Sequence, residues 1–230
     1  MTILVACGLQ REANILRGLG VIAIPGGGDA VRLEAVLDGQ AAGATIIVSA
    51  GIAGALDPAL TAGDVVIHQP PFVSSEVEKQ ATSVARGVST SLDTNGWGEE
   101  LRAALPHARY GQIIGQDHIA ATAAEKAALY AATGALAVDM ESHIAARVAA
   151  RHGLPFIAMR TISDTAHESL PPAALVGMSP DGSMALGKVL TSLARRPGQL
   201  PALIKTGQNA EAAFRALRQV SHAIAALNRP

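Results

Sequence analysis

One segment limits the fold more than any other. Thr45-Ile46-Ile47-Val48-Ser49 is the most β-branched run in the chain, and it passes directly into Gly51-Ile52-Ala53-Gly54. Residues branched at Cβ fit a pleated surface, so the run reads as a central strand. The glycines at its C-terminal end read as a turn where a ligand and the backbone approach closely.

Other short β-rich runs alternate with helical patterns, which is the signature of βαβ units around a parallel or mixed sheet. Ile3 to Cys7 forms the first strand and leads through Gly8 into a helix from about Arg11 to Leu19. Val21 to Ile24 meets Pro25 and Gly26-Gly27-Gly28, after which Asp29 caps a helix expected to end before Gly39. Asp64 to His68 reads as a strand, 69–95 as loop around Pro70-Pro71, and Trp97 to Leu105 as a helix stopped by Pro106. Tyr110 to Ile119 reads as extended. Thr122 and Glu125 then form a capping box for a helix ending near Gly134. Ala135 to Val138 is a strand, and Ile144 and Val148 mark a helix that closes at Gly153. Leu154 to Ser163 is the last strand; a further helix reaches Arg195-Arg196-Pro197, and an amphipathic segment runs from about Leu200 to Leu227. No internal repeat is visible, and the chain, 1–230, reads as a single domain.

Composition excludes several classes of protein. Eighteen basic against nineteen acidic residues leave a net charge of −1, so there is no field to hold a phosphate backbone and no nucleic-acid partner is expected. The longest uncharged stretch, Gly39 to Leu56, is broken by four glycines and does not read as a membrane span. A single cysteine, Cys7, and an N-terminus without a basic region or cleavage site place the chain in the cytoplasm, with Cys7 as a small core residue. The seven histidines show no ligand spacing, so no metal is expected. No Gly-x-Ser-x-Gly elbow, Walker lysine or dinucleotide fingerprint occurs.

Ligands of open α/β sheets collect beyond the C-terminal ends of the strands. Four such exits carry chemistry: Gly8 to Glu12, Ser49 to Gly54, Asp139-Met140-Glu141, and Ser163-Asp164. They bring acids, a glycine-rich stretch and Arg11 towards one edge.

These residues resemble a known family. Gly8-Leu9-Gln10-Arg11-Glu12 after an early strand, Ala50-Gly51-Ile52-Ala53-Gly54-Ala55-Leu56, Val138-Asp139-Met140-Glu141-Ser142 and Arg160-Thr161-Ile162-Ser163-Asp164 look like the motifs of the nucleoside phosphorylase and methylthioadenosine/S-adenosylhomocysteine nucleosidase superfamily. The order and spacing match over roughly residues 1 to 195. Asp57-Pro58-Ala59-Leu60, Asp139 to His143 and Leu170 to Leu175 further resemble the hopanoid-associated phosphorylase branch.

The resemblance implies a three-layer α/β/α sandwich with a phosphorylase-type mixed sheet, and cleavage of an N-ribosidic bond. It implies that Asp164 hydrogen-bonds the adenine edge and protonates N7, a strand-end cap being the structural alternative. It implies that Glu141 accepts the ribose hydroxyls with Met140 beneath the sugar, where an acid favoured by a helix N-terminus is the alternative. Asp139 is left as a cap. Glu12 matches the base that activates water in the nucleosidases, and Arg11 a residue that holds phosphate in the phosphorylases; an ordinary charged first turn would account for both. Ser163, Gly51, Ile52 and His118 complete the expected substrate set, with His118 either stacked on the base or lying on the surface. Gly8, Gly27 and Gly28 join Arg11 for phosphate, although a glycine helix entry explains the loop equally well. Where phosphorylases present an arginine and a serine to phosphate, this chain has Ser49 and Ile52.

The favoured reaction is phosphorolytic release of adenine from a 5′-substituted adenosine, with adenosylhopane the substrate implied by the branch, in hopanoid biosynthesis. Phosphate is then a co-substrate and no cofactor is required. A hydrolytic nucleosidase and a non-catalytic nucleoside-binding protein are the alternatives. A homo-oligomer is expected. The segment from Leu200 suits packing on a second subunit better than peripheral membrane contact, which would give membrane association to a cytoplasmic protein.

Overall fold

The computed structural model describes residues 2–69, 97–177, 179, 181–183 and 185–227. The loop expected over 69–95 lies outside the described residues, apart from Gln69. Among the described residues, eight strands form one mixed sheet: β1 (Ile3–Cys7), β2 (Val21–Pro25), β3 (Ile46–Ala55), β4 (Val65–His68), β5 (Arg109–Gly111), β6 (Ile113–Gly115), β7 (Ala137–Asp139) and β8 (Phe156–Asp164). Their order is β2-β1-β3-β8-β4-β5, with β7 antiparallel to the end of β3 and β6 parallel to β7.

Helices cover both faces. Along β1, Ile3, Val5 and Cys7 point into one apolar cluster while Leu4 and Ala6 point into another, so the strand is buried on both sides and shows no polar alternation. The first cluster is closed by α1 (Gln10–Leu16), α3 (Trp97–Ala104) and α8 (Leu200–Ala226), the second by α2 (Ala30–Ala41) and α5 (Ser142–His152). This is a three-layer α/β/α sandwich. A smaller cluster of Leu56, Ile114, Ala135 and Val138 seats α4 (Ala123–Thr133) over β6 and β7. Short α6 (Pro172–Leu175) and α7 (Leu186–Arg195) precede α8. Among the described residues, no helix is long and apolar enough to cross a membrane.

Several boundaries differ from the sequence reading, each for a tertiary reason. Helix α2 runs through Gly39 to Ala41 because Leu33, Leu37 and Ala41 form one buried stripe at four-residue spacing. Burial of that stripe outweighs the cost of about 1 kcal/mol for a mid-helix glycine. Helix α1 stops at Leu16, so its last expected turn is missing. The expected turn at Gly51–Gly54 is continuous strand: β3 pairs with β8 through the glycines, with a register shift between Ala53 and Gly54. The extended stretch from Tyr110 to Ile119 is two short strands, β5 and β6, that join different neighbours.

Candidate active site

Parallel strands β1, β3 and β8 run in one direction; β1 ends level with Ala50 and is followed by Gly8, while β3 and β8 continue through Gly51–Gly54 to Asp164. At the centre lies Arg160, fully buried in the row formed by Phe156, Ala158 and Ile162. A guanidinium in that row is tenable only with partners. Its Nε donates to Asp139 Oδ2 at 2.7 Å, and Nη2 donates to Ser49 Oγ at 2.5 Å and Ser142 Oγ at 3.1 Å. Glu141 Oε2 lies 3.5 Å from Nη2. Burial works against its charge, but Asp139, Glu141 and Glu12 together hold the guanidinium above its ordinary range. Nη1 is buried and has no hydrogen-bond partner among the described residues.

Asp139 is the anchor of this cluster. Its Oδ1 accepts the Glu141 N–H at 2.9 Å and the Ser142 N–H at 2.7 Å, so it caps the entry to α5, while Oδ2 takes Arg160 and the Ser142 hydroxyl.

Glu12 points inward from the first turn of α1 and is 1% exposed. Three main-chain N–H groups converge on its carboxylate: Gly8 at 2.7 Å and Leu9 at 2.6 Å on Oε2, and Ile52 at 2.7 Å on Oε1. Burial raises the carboxyl above its usual range, and these donors with Arg160 offset part of the rise. Glu141 is pushed up to about 8 by burial and by the neighbouring Asp139 and Glu12, against the pull of Arg160. A Cβ on Gly8 would stand 2.9 Å from Glu141 Oε1 and 3.4 Å from Glu12 Oε2, so both acids face that glycine.

The glycines of β3 follow from the same crowding. A Cβ on Gly51 would lie 2.8 Å from both Arg160 Nη1 and Glu12 Oε1, and one on Gly54 would lie 3.1 Å from Asp164 Oδ2. They are bare so that charged side chains can reach the strand edge, with no need of a turn.

Asp164 ends β8 opposite Gly54 and is buried. Its Oδ1 accepts the Ser163 hydroxyl at 2.8 Å, and its Oδ2 accepts the ammonium of Lys126, a fully buried residue of α4. Ser163 Oγ also reaches the Ala53 carbonyl at 3.2 Å. Lys126 was not singled out from sequence. Its signal was a lysine on the helix stripe that also carries Leu129 and Tyr130, the residues with which α4 meets its cluster.

The expected site residues therefore fall into groups. Glu12, Glu141, Gly8, Gly51 and Ile52 stand around Arg160, with half-buried Met140 adjacent in the chain. Asp164 and Ser163 stand further along the same pair of strands. His118 is exposed and lines a cavity of about 300 Å³ with Gln116, Ala120, Glu125, Ala128 and Leu129. The residues expected at phosphate are placed differently. Arg11 lies on the surface, where it grips Glu211 with both terminal nitrogens and stacks 4.0 Å from the centre of the Phe214 ring. The Gly8 N–H is engaged by Glu12, and the buried Gly27 N–H donates to the Gly8 carbonyl at 2.8 Å. Gly27 and Gly28 take positive φ angles of 66° and 79°, which makes them a tight helix entry.

Fold and site define a three-layer α/β protein with a buried carboxylate–arginine cluster at the ends of its parallel strands. The family model described as the phosphorylase superfamily matches residues 28–195, and the chain belongs to that superfamily. Solved structures share the fold. The 5′-methylthioadenosine/S-adenosylhomocysteine nucleosidase of Neisseria meningitidis, in complex with methylthio-immucillin-A, aligns over 98% of this chain and 99% of its own with a TM-score of 0.63 and 17% identity. The S-adenosylhomocysteine nucleosidase of Streptococcus pyogenes covers 95% of both chains at a TM-score of 0.58 and 18% identity. Futalosine hydrolase of Helicobacter pylori covers 96% of this chain and 97% of its own at 0.58 and 17%. No curated protein matches the sequence significantly.

Proposed function

We propose that this protein cleaves the N-ribosidic bond of a 5′-substituted adenosine and releases adenine. The register of β3 on β8 is the observation that carries the reading. Gly51 pairs with Arg160 and Gly54 with Asp164, so the Glu12–Glu141–Arg160 cluster and the Asp164 carboxylate are offset by three residues of β3, roughly 10 Å along one edge. In this reading the sugar and the nucleophile occupy the first position and the base the second. Glu141, once ionised, accepts the ribose hydroxyls and stabilises positive charge developing on the sugar. Asp164 meets the purine and delivers a proton to N7 as the bond to C1′ breaks. The Neisseria meningitidis relative is a 5′-methylthioadenosine/S-adenosylhomocysteine nucleosidase and the Streptococcus pyogenes relative an S-adenosylhomocysteine nucleosidase, which supports the reading.

Phosphate is the proposed nucleophile. Arg160 Nη1 supplies a buried cationic donor without a partner among the described residues, beside the Glu12–Glu141 cluster proposed to hold the sugar. A second reading, attack by water with Glu12 as base, is favoured by one specific observation: the Gly8 and Gly27 N–H groups and Arg11 are all engaged elsewhere. Adenine release measured with and without phosphate decides between them. Phosphorolysis requires a rate that depends on phosphate; release that proceeds equally without it assigns water.

Adenosylhopane remains the proposed substrate, in hopanoid biosynthesis, on the strength of the branch-like motifs. We also propose a homo-oligomer. Leu186 and Leu190 of α7 are 61% and 64% exposed, and Leu200 and Ile204 of α8 are 44% and 53% exposed, so a face near the start of α8 is available to a second copy. Lys188, Arg195 and Arg196 beside it would also suit peripheral contact with an anionic membrane.

A further inference from the structure

We infer that Lys126 is the proton reservoir for the leaving base, a positioning residue that acts through Asp164. The inference rests on the base-end placement of Asp164 proposed above.

Lys126 is fully buried, and its ammonium has three acceptors: Asp164 Oδ2, the Thr165 carbonyl at 2.9 Å and the Glu168 carbonyl at 2.9 Å. An ammonium has three N–H donors, so every one is engaged and none is left for a substrate. The pair sits against Gly54, where an added Cβ would lie 3.1 Å from Asp164 Oδ2 and 3.6 Å from Lys126 Cε. The other charged group of this turn is turned aside. Glu168 accepts the Thr165 N–H at 2.9 Å and pairs with Lys205 at 2.8 Å and with Asn209. Among the described residues, Asp164 thus bonds one cation, Lys126, and one hydroxyl, Ser163.

A carboxylate bonded to an ammonium carries no proton of its own, yet the departing purine needs one. The nearest lies on Lys126 Nζ, already directed at Oδ2. As the bond between C1′ and the base breaks, its electron pair passes to the purine. The Lys126 proton passes to Asp164 through Oδ2, and Asp164 hands that proton on to N7. The products are neutral adenine, ionised Asp164 and an uncharged amine, which recovers its proton from water when adenine leaves.

Replacing the lysine with a neutral side chain of similar length tests this. In Lys126→Met, Asp164 must draw its proton from solvent before each turnover. At pH 7.5, kcat on a 5′-substituted adenosine is expected to fall about 30- to 100-fold with KM within about threefold, in the range of a lost acid–base contribution. The ratio of variant to wild-type kcat is expected to recover as pH is lowered towards about 5, because solvent then supplies the proton. In Lys126→Ala, ethylamine is expected to restore activity. A lysine that merely ties the turn would give a ratio independent of pH and no response to amine. Either of those results, or variants within twofold of wild type, overturns the inference. So does finding that neither variant folds by circular dichroism, since the lysine is then a structural tie. Wild type that releases no base from any nucleoside defeats instead the functional reading on which the inference stands.

Discussion

Arg160 Nε donates to Asp139 Oδ2 at 2.7 Å, joining the middle of β8 to the end of β7 through two side chains that are 0% and 1% exposed. The bond fixes both the entry to α5 and the guanidinium around which Glu12 and Glu141 gather. Removing the cation while leaving the acids is expected to be costly. Arg160→Met should lose about 3–5 kcal/mol of stability at neutral pH, measured by urea unfolding, because the buried Asp139 carboxylate and its neighbours lose their counter-charge. A loss below about 1 kcal/mol would mean that the cluster is solvated.

Gly51 is expected to tolerate no side chain. Gly51→Ala places a methyl 2.8 Å from Arg160 Nη1 and Glu12 Oε1, on side chains that Asp139, Ser49 and the Ile52 N–H hold in place. The expected cost is about 1–3 kcal/mol of stability, together with about 100-fold in kcat/KM from displaced charged groups. Thermal melts and steady-state rates on the purified variant check both.

Glu141 should make both activity and stability depend on pH. Its carboxyl is raised from 4.5 to about 8 in the folded chain, so between those values the folded state holds a proton that the unfolded state has lost. Stability contributed by this group therefore declines as pH rises through that window and levels above about 8. Glu141→Gln is expected to be more stable than wild type at about pH 9 by a few kcal/mol, with the difference vanishing near pH 4. Activity runs in the opposite sense. The ribose needs the ionised form, so wild-type kcat/KM should rise towards about pH 8, approaching tenfold per unit at lower pH.

Arg11 supplies a contrasting case. Its exposed pair with Glu211 and its stacking on Phe214 belong to the packing of α1 on α8. Arg11→Ala should cost less than about 1–2 kcal/mol and leave the KM values for nucleoside and phosphate within roughly twofold, as titration of each substrate would show.

Much of the architecture was legible in the sequence because β1, β3 and β8 are covered on both faces and begin as consecutive apolar residues, Ile3 to Cys7, Ile46 to Val48 and Phe156 to Met159. The capping box of Thr122 and Glu125 likewise forms as expected, with Glu125 N–H donating to Thr122 Oγ1 at 3.1 Å. Positions decided by distant side chains were not legible. Gly51 and Gly54 look like a turn until Glu12, Arg160 and Asp164 are seen to occupy the space their side chains would fill. Arg11 and Glu12 are neighbours with equal claims in sequence, but a helix turns adjacent residues to different directions, and only Glu12 faces the strand ends. Arg160 stood inside a motif without an assigned role, and Lys126 outside every motif, because the burial of a cation is fixed by acids 21 and 38 residues away in the chain.

The most direct test of the whole account is adenine release from a panel of adenosines with small, sulfur-linked and hydrocarbon 5′ groups, each with and without phosphate, using wild type and Glu141→Gln. The account predicts free adenine from at least one substrate with wild type, and at least 100-fold less with the folded variant. Folded wild-type protein that liberates no base from any of them, with or without phosphate, would contradict it.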